Sequence, residues 1–190
     1  HADALLTAYY PGQQGGNAIA DVLFGDVNPS GRLPISVPRS VGQLPVYYNH
    51  PLPEPHDYVE MTARPLYAFG YGKSYTTFEY SRLTVNAISK DSVSVSFDVT
   101  NTGTRDGAEV VQLYLNDSVA SVAQPVKQLR RFARVPLTKG QTKHITFTLH
   151  AADLAIINRE KQRTVEPGWF NVMVGAASND IRLRGKFQIL

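Results

Sequence analysis

The stretch Pro11-Gly12-Gln13-Gln14-Gly15-Gly16-Asn17-Ala18-Ile19-Ala20-Asp21-Val22-Leu23-Phe24-Gly25-Asp26-Val27-Asn28-Pro29-Ser30-Gly31-Arg32-Leu33-Pro34-Ile35-Ser36-Val37-Pro38 decides how this chain is read. Glycines lead into Asn17, a favourable helix N-cap, and Ala18, Ile19, Val22 and Leu23 recur at helical spacing. Gly25 stands where a helix ends in a left-handed residue. Asn28-Pro29-Ser30-Gly31 has the grammar of a turn, with proline second and glycine fourth. Leu33, Ile35 and Val37 alternate as one face of a strand. The predicted unit is helix, turn and short strand. One helix and one strand enclose no core, so the unit is expected to dock on something larger.

Working outward, residues 39–64 hold Pro45, Pro51, Pro53 and Pro55, a density that favours extended, semi-rigid backbone. The same connector carries Tyr47, Tyr48, His50, His56 and Tyr58. A free linker seldom holds so many rings, so it is expected to lie along a surface. From Tyr67 onward the pattern is all-β. Val93, Val95, Phe97 and Val99 alternate with polar residues. Residues 108–116 are apolar on both faces at Val110, Val111 and Tyr114, which predicts a central strand. Lys139-Gly140 turns the chain into Ile145, Phe147 and Leu149, and Pro167-Gly168 turns it into residues 169–174; residues 181–190 supply a last strand. About seven strands between turns predict an immunoglobulin-like β-sandwich, a sheet pair able to form its own core. Trp169, beside an apolar strand, is expected to be buried.

The chain has 190 residues, enough for one ordinary domain, or one domain plus a remnant of another. Nineteen basic residues against sixteen acidic give a formal charge of +3, too even a balance for a nucleic-acid binder. Arg130, Arg131 and Arg134 are the one tight basic cluster, and they fall in a strand pattern. No stretch approaches the roughly 18 apolar residues of a membrane span. The absence of cysteine excludes a disulfide framework and thiolate zinc sites. Residues 2–8 read as the middle of a helix, so the chain is expected to continue upstream of His1.

The decisive stretch resembles the end of the second, α/β-sandwich domain of glycoside hydrolase family 3, where P-G-x-x-G-G-x-A-[IL]-A-D-[VI]-L-F-G-D-x-N-P-S-G-[RK]-L-P closes the domain. A second block, Arg64-Pro65-Leu66-Tyr67-Ala68-Phe69-Gly70-Tyr71-Gly72-Lys73-Ser74-Tyr75-Thr76-Thr77-Phe78, resembles the opening of that family's C-terminal fibronectin type III-like domain. Lys73 replaces the usual leucine there. Val99-Thr100-Asn101-Thr102-Gly103 and Gln124-Pro125-Val126-Lys127-Gln128-Leu129 carry the likeness towards the C-terminus. The start at Tyr9-Tyr10-Pro11 and the run Gln43-Leu44-Pro45-Val46-Tyr47-Tyr48 are similar to β-glucosidases of the bacterial periplasmic type. The fold so implied is mainly β. Residues 1–38 form the end of the α/β-sandwich domain, residues 39–64 a proline-rich connector, and residues 65–190 the fibronectin type III-like sandwich.

Gly12, Gly15 and Gly16 match no phosphate-loop spacing and read as a tight turn. His1, His50, His56, His144 and His150 show no metal-site offset to a carboxylate, so no metal and no cofactor is expected. Ser74 lacks a nucleophile elbow, and the Lys73-Ser74 pair reads as surface. Asn116-Asp117-Ser118 is a sequon of the kind chance supplies. Glycoside hydrolysis by retention needs two carboxylates roughly 5 Å apart. Asp21 and Asp26 read as helix-flanking, with Asp26 bonding turn amides; Asp106 and Asp117 read as turn residues.

The resemblance agrees. It implies a retaining β-glucosidase acting on terminal non-reducing β-D-glucosyl residues, with both catalytic carboxylates outside this stretch, and a periplasmic or secreted location. This part alone is then inert and architectural, and its partners are the barrel and α/β-sandwich domains of its own polypeptide and a β-glucoside substrate. Tyr47, Tyr48, His50, His56 and Tyr58 remain as candidates for the substrate rim, in their own subunit or across a homodimer. The competing reading is that these rings glue the connector to the domains beneath it. Two other functions fit the sequence: a carbohydrate-binding or adhesion module, and a family 3 β-xylosidase.

Overall fold

The computed structural model describes residues 3–51, 56–89 and 92–190; Pro53 and Pro55 of the connector, and the opening His1 and Ala2, lie outside them. The chain runs through α1 (Gly15–Phe24), a 3-10 turn (Val41–Gln43), β1 (Phe78–Ser89), β2 (Ser92–Asn101), β3 (Gly107–Asp117), β4 (Gln128–Leu137) and β5 (Thr142–His150). It continues through α2 (Ala151–Leu154), the short pair β6 (Ile156–Ile157) and β7 (Arg163–Thr164), then β8 (Gly168–Ala177) and β9 (Asp180–Ile189). Three strands form one sheet in the order β1-β2-β5, and four form the other in the order β4-β3-β8-β9. The neighbouring strands of both sheets are antiparallel. This is the sandwich the alternation predicts, and β3, with a partner on each side, is the central strand expected of residues 108–116.

The core follows from period two. Val93, Val95, Phe97 and Val99 of β2 point inward, against Val111, Leu113 and Leu115 of β3 and Phe170, Val172 and Val174 of β8. Phe97 lies 6.1 Å from the Tyr80 ring and 5.9 Å from that of Phe147, and Phe170 stacks on Phe187 at 5.3 Å. Trp169 departs from expectation: it is 43% exposed, with the Lys186 ammonium 4.6 Å from its ring. It neighbours Phe170, which points inward, so the pleat turns it out.

The leading segment is less regular than its sequence pattern. Residues 4–8 hold no helix, and Leu5 and Leu6 are exposed. So short a stretch does not sustain a helix without packing. The cap of α1 is Gln14 rather than Asn17, whose side-chain amide instead donates to the Gln14 side-chain carbonyl at 2.9 Å. Gly25 closes α1 at φ +86°, the left-handed stop expected there. Residues 33–37 form no regular strand. They run extended beside residues 66–71 through bonds Leu33 N–H to Tyr71 O, Gly70 N–H to Leu33 O and Val37 N–H to Tyr67 O, with a single bridge between Val37 and Tyr67. Residues 65–77 likewise precede the first strand rather than belonging to it.

This irregular ribbon is a third layer on the outer face of the larger sheet. Tyr114 and Gln112 of β3 point away from the sandwich core, yet both are buried. Tyr48 stacks on Phe69 at 4.2 Å and meets Tyr114 edge-on at 6.0 Å. The Gln112 amide donates to the carbonyls of Gly70 (3.2 Å) and Ala176 (2.6 Å), and its oxygen accepts from the Tyr114 hydroxyl. Gly70 sits at φ +80°, and a β-carbon there would come within 2.1 Å of the Gln112 side-chain oxygen. Only glycine satisfies both demands.

Candidate functional site

The connector is held at three points. Gln43, 3% exposed, accepts from the Arg39 amide at 2.7 Å and donates to the carbonyls of Ala63 (2.9 Å) and Arg64 (3.1 Å). Tyr48 is anchored by its ring stack and by its hydroxyl, which accepts from the Leu129 amide at 3.3 Å. His50 contributes its carbonyl to the Val126 amide at 2.9 Å, and Pro51 bridges to Pro125.

The five rim candidates therefore divide. Tyr48 is committed to packing and His50 is half-buried beside the 125–126 segment. Tyr47, 68% exposed, and Tyr58, 50% exposed, present their rings to the outside, and His56 is exposed. Tyr58 opens a tight turn in which its amide donates to the Met61 carbonyl at 2.7 Å. The Asp57 carboxylate closes this turn by accepting from the Ala63 amide (2.8 Å) and the Thr62 hydroxyl (2.9 Å). Those two bonds hold its pKa below the ordinary carboxylate value. The structure thus sets Tyr47 and Tyr58 on an anchored segment and does not gather all five rings into one cluster.

Four further aspartates, Asp98, Asp106, Asp117 and Asp153, are engaged in turns or ion pairs. Asp106 accepts from the Lys139 amide at 2.8 Å, and Asp117 from the Val119 amide at 3.2 Å, the turn roles predicted for both. The amide-bonding role expected of Asp26 belongs to Asn28, whose carbonyl oxygen accepts from the Tyr75 amide at 2.7 Å. Asp98 pairs with His144 at 2.6 Å and with Arg82; the His144 bond lowers its pKa first, burial opposes, and Arg82 adds to the lowering. Asp153 is gripped by both guanidinium nitrogens of Arg131. Ser74, bonded to Asn28, has no partner base, and among the described residues no group of three potential metal ligands occurs.

Sequence reasoning missed the joint between the leading segment and the sandwich. Arg32 of the Gly31-Arg32-Leu33-Pro34 motif reaches Glu109 on β3 at 2.7 Å, with side chains only 9% and 2% exposed. The other Glu109 oxygen accepts from the Tyr80 hydroxyl at 2.8 Å, and Arg182 lies 4.9 Å from the Tyr80 ring. Burial first, then the adjacent Glu109 charge, push the Tyr80 hydroxyl pKa far up, so it stays a donor. The one available signal was a charged residue within an otherwise apolar strand pattern at Ala108-Glu109-Val110-Val111.

Comparison with known proteins agrees with this geometry. A family model described as the glycosyl hydrolase family 3 C-terminal domain matches residues 1–75, and one described as a fibronectin type III-like domain matches residues 109–178. A periplasmic β-glucosidase of Salmonella typhimurium is 46% identical over all of this chain, which covers 26% of that protein. A β-xylosidase of Formosa agariphila is 43% identical over 92% of the chain, covering 25% of its own length. Among solved structures, a β-glucosidase from Erythrobacter marinus superposes with a TM-score of 0.91 at 42% identity, over 96% of this chain and 25% of its own. The chain thus spans about a quarter of the length of the relatives it matches. With one family model ending just before β1, a second lying on the sandwich, and relatives aligned over almost the whole chain, the chain belongs to glycosyl hydrolase family 3.

Proposed function

We propose that this chain is the non-catalytic, C-terminal part of a retaining β-glucosidase that removes terminal β-D-glucosyl residues. Residues 1–38 complete an α/β-sandwich domain, residues 39–64 form a strapped connector, and residues 65–190 are the supporting sandwich. The observation that carries this reading is the buried Arg32–Glu109 pair: a motif residue of the leading segment is spent on holding the sandwich in place. The acidic side chains described above are likewise engaged in turns and ion pairs, which supports placing the nucleophile and the acid upstream. The partners are then the other domains of the same polypeptide, with a homodimer as a further arrangement, and the location is periplasmic or secreted, as the name of the Salmonella relative has it.

The test uses p-nitrophenyl β-D-glucoside and p-nitrophenyl β-D-xyloside. The chain alone is expected to turn over neither. Mixed with a family 3 β-glucosidase truncated before the corresponding P-G-x-x-G-G motif, it is expected to restore glucoside hydrolysis. Turnover by the chain alone overturns the reading. Faster hydrolysis of the xyloside in the mixture favours the xylosidase alternative, for which the 43% identical Formosa protein is the supporting observation. The binding-module alternative gains the exposed edge of Trp169, but Lys186 already occupies that ring.

We further propose that Tyr47 and Tyr58 form part of the substrate rim on the aglycone side, with exposed His56 on the same connector and Tyr48 and His50 as its anchors. Their exposure on an anchored segment supports this reading. Replacing Tyr47 and Tyr58 with alanine in the full-length enzyme is expected to raise KM for disaccharides while leaving kcat for the aryl glucoside unchanged. Unaltered disaccharide kinetics in a normally folded variant removes the rim proposal.

A further inference from the structure

Arg130 is the extra residue of a β-bulge. Leu113 of β3 faces Arg131 of β4 and Tyr114 faces Leu129, so Arg130 has no opposite number. Bulges re-aim a side chain, and here the Leu129 amide beside the bulge is taken by the Tyr48 hydroxyl. The Arg130 guanidinium is half-buried, and its Nε lies out of solvent with no hydrogen-bond acceptor. A buried donor left unmet costs free energy and calls for an explanation.

The surroundings make the case chemical. Two guanidiniums, Arg130 and Arg131, act on one carboxylate, Asp153, and a third, Arg163, lies near Arg130. Arg131 grips both oxygens of that carboxylate, and the His150 amide donates to one of them at 2.8 Å. Arg163 is bonded to the Ala152 carbonyl at 2.8 Å. Asp153 accepts three hydrogen bonds, none of them from Arg130, which it reaches only through space. Burial pushes the Arg130 pKa down, Asp153 and then Tyr48 partly restore it, and Arg131 and Arg163 push it down again. The cluster carries three positive charges against one negative, with a planar donor aimed at no acceptor.

We propose that the Arg130 bulge is a carboxylate-binding site. A carboxylate suits a guanidinium edge because the two form parallel charge-assisted hydrogen bonds in one plane. The group has two available sources: a uronic acid unit on a saccharide, or an acidic side chain from the rest of a longer polypeptide. The site does not depend on Tyr47 or Tyr58 touching substrate.

The experiment follows the guanidinium Nε–Hε signals of the 190-residue chain by NMR at constant ionic strength. It is titrated separately with D-glucuronate, acetate, D-glucose and chloride, and the Arg130 signal is assigned with Arg130→Lys. A saturable shift of that signal is expected with glucuronate or acetate and not with glucose or chloride, with a dissociation constant in the millimolar range. Arg130→Met is expected to weaken binding by roughly tenfold or more. Glucuronate binding about tenfold or more tighter than acetate identifies a saccharide source; equal binding identifies a protein carboxylate. A signal indifferent to both carboxylates, or moved equally by chloride, overturns the proposal, and the titration itself is read on the unaltered chain.

Discussion

The sandwich and the segment that precedes it handle apolar surface in opposite ways. Inside the sandwich, Phe97, Leu113, Phe170 and Val174 are out of contact with water. In the leading segment Leu5, Tyr10, Leu23, Phe24, Val27 and Ile35 are all exposed, Phe24 at 84%. Two sheets facing each other close a core; a helix and an irregular ribbon shelter at most one side of themselves. Where the ribbon does bury surface, it does so against the sheet, through Tyr48, Phe69 and Gly70. The contrast teaches that apolar pattern alone does not locate a core; a facing partner is required.

Four measurements break or sharpen that contrast, beginning with the largest effect. Phe97→Ala is expected to cost about 3–5 kcal/mol in urea unfolding, whereas Phe24→Ala changes stability by less than about 0.5 kcal/mol. Equal losses would erase the distinction between the two regions. Glu109→Ala leaves the Arg32 charge buried and alone, and is expected to cost about 3 kcal/mol. The double change Arg32→Leu with Glu109→Leu recovers most of that loss, which a double-mutant cycle reads. If Glu109→Ala proves neutral, the joint holds nothing together.

Gly70→Ala is expected to cost about 1–3 kcal/mol, from the left-handed backbone and the collision with Gln112. Increased proteolysis within residues 39–77 should accompany it, because the ribbon loses its seat on β3. The smallest effect concerns acid. Asp98 has a folded pKa below its ordinary 3.8, so its pairing contributes fully above that value and is lost as pH falls through the lower folded one. His144→Ala is expected to move the carboxyl titration of Asp98 back towards 3.8, seen by carbon NMR. An unmoved titration would show that His144 is not the main support.

What the sequence made legible was whatever repeats with a short period. The alternation in residues 93–99 placed β2, and the two-faced pattern at Val110, Val111 and Tyr114 placed β3 at the centre of its sheet. Trp169 shows where that reading fails: its apolar neighbours predict burial, but it adjoins inward Phe170 and the pleat turns it out. The stretch Leu33, Ile35, Val37 has the same alternation but pairs irregularly with residues 66–71, because a ribbon lying on a sheet takes its hydrogen bonds where the surface allows. The Arg32–Glu109 pair joins residues 77 positions apart, beyond the reach of any local pattern. That Tyr48 turns inward while Tyr47 stays exposed depends on Phe69 and Leu129, two distant parts of the chain.

The Tyr48–Phe69–Tyr114 stack has a consequence for anyone who cuts and joins such domains. A boundary drawn at the first strand, residue 78, would strip the ribbon off the larger sheet and leave Tyr114 and Gln112 facing solvent. A portable module must begin before Gln43 and carry its own strap. A graft lacking that strap would gain a sticky outer wall where the native one has a finished surface.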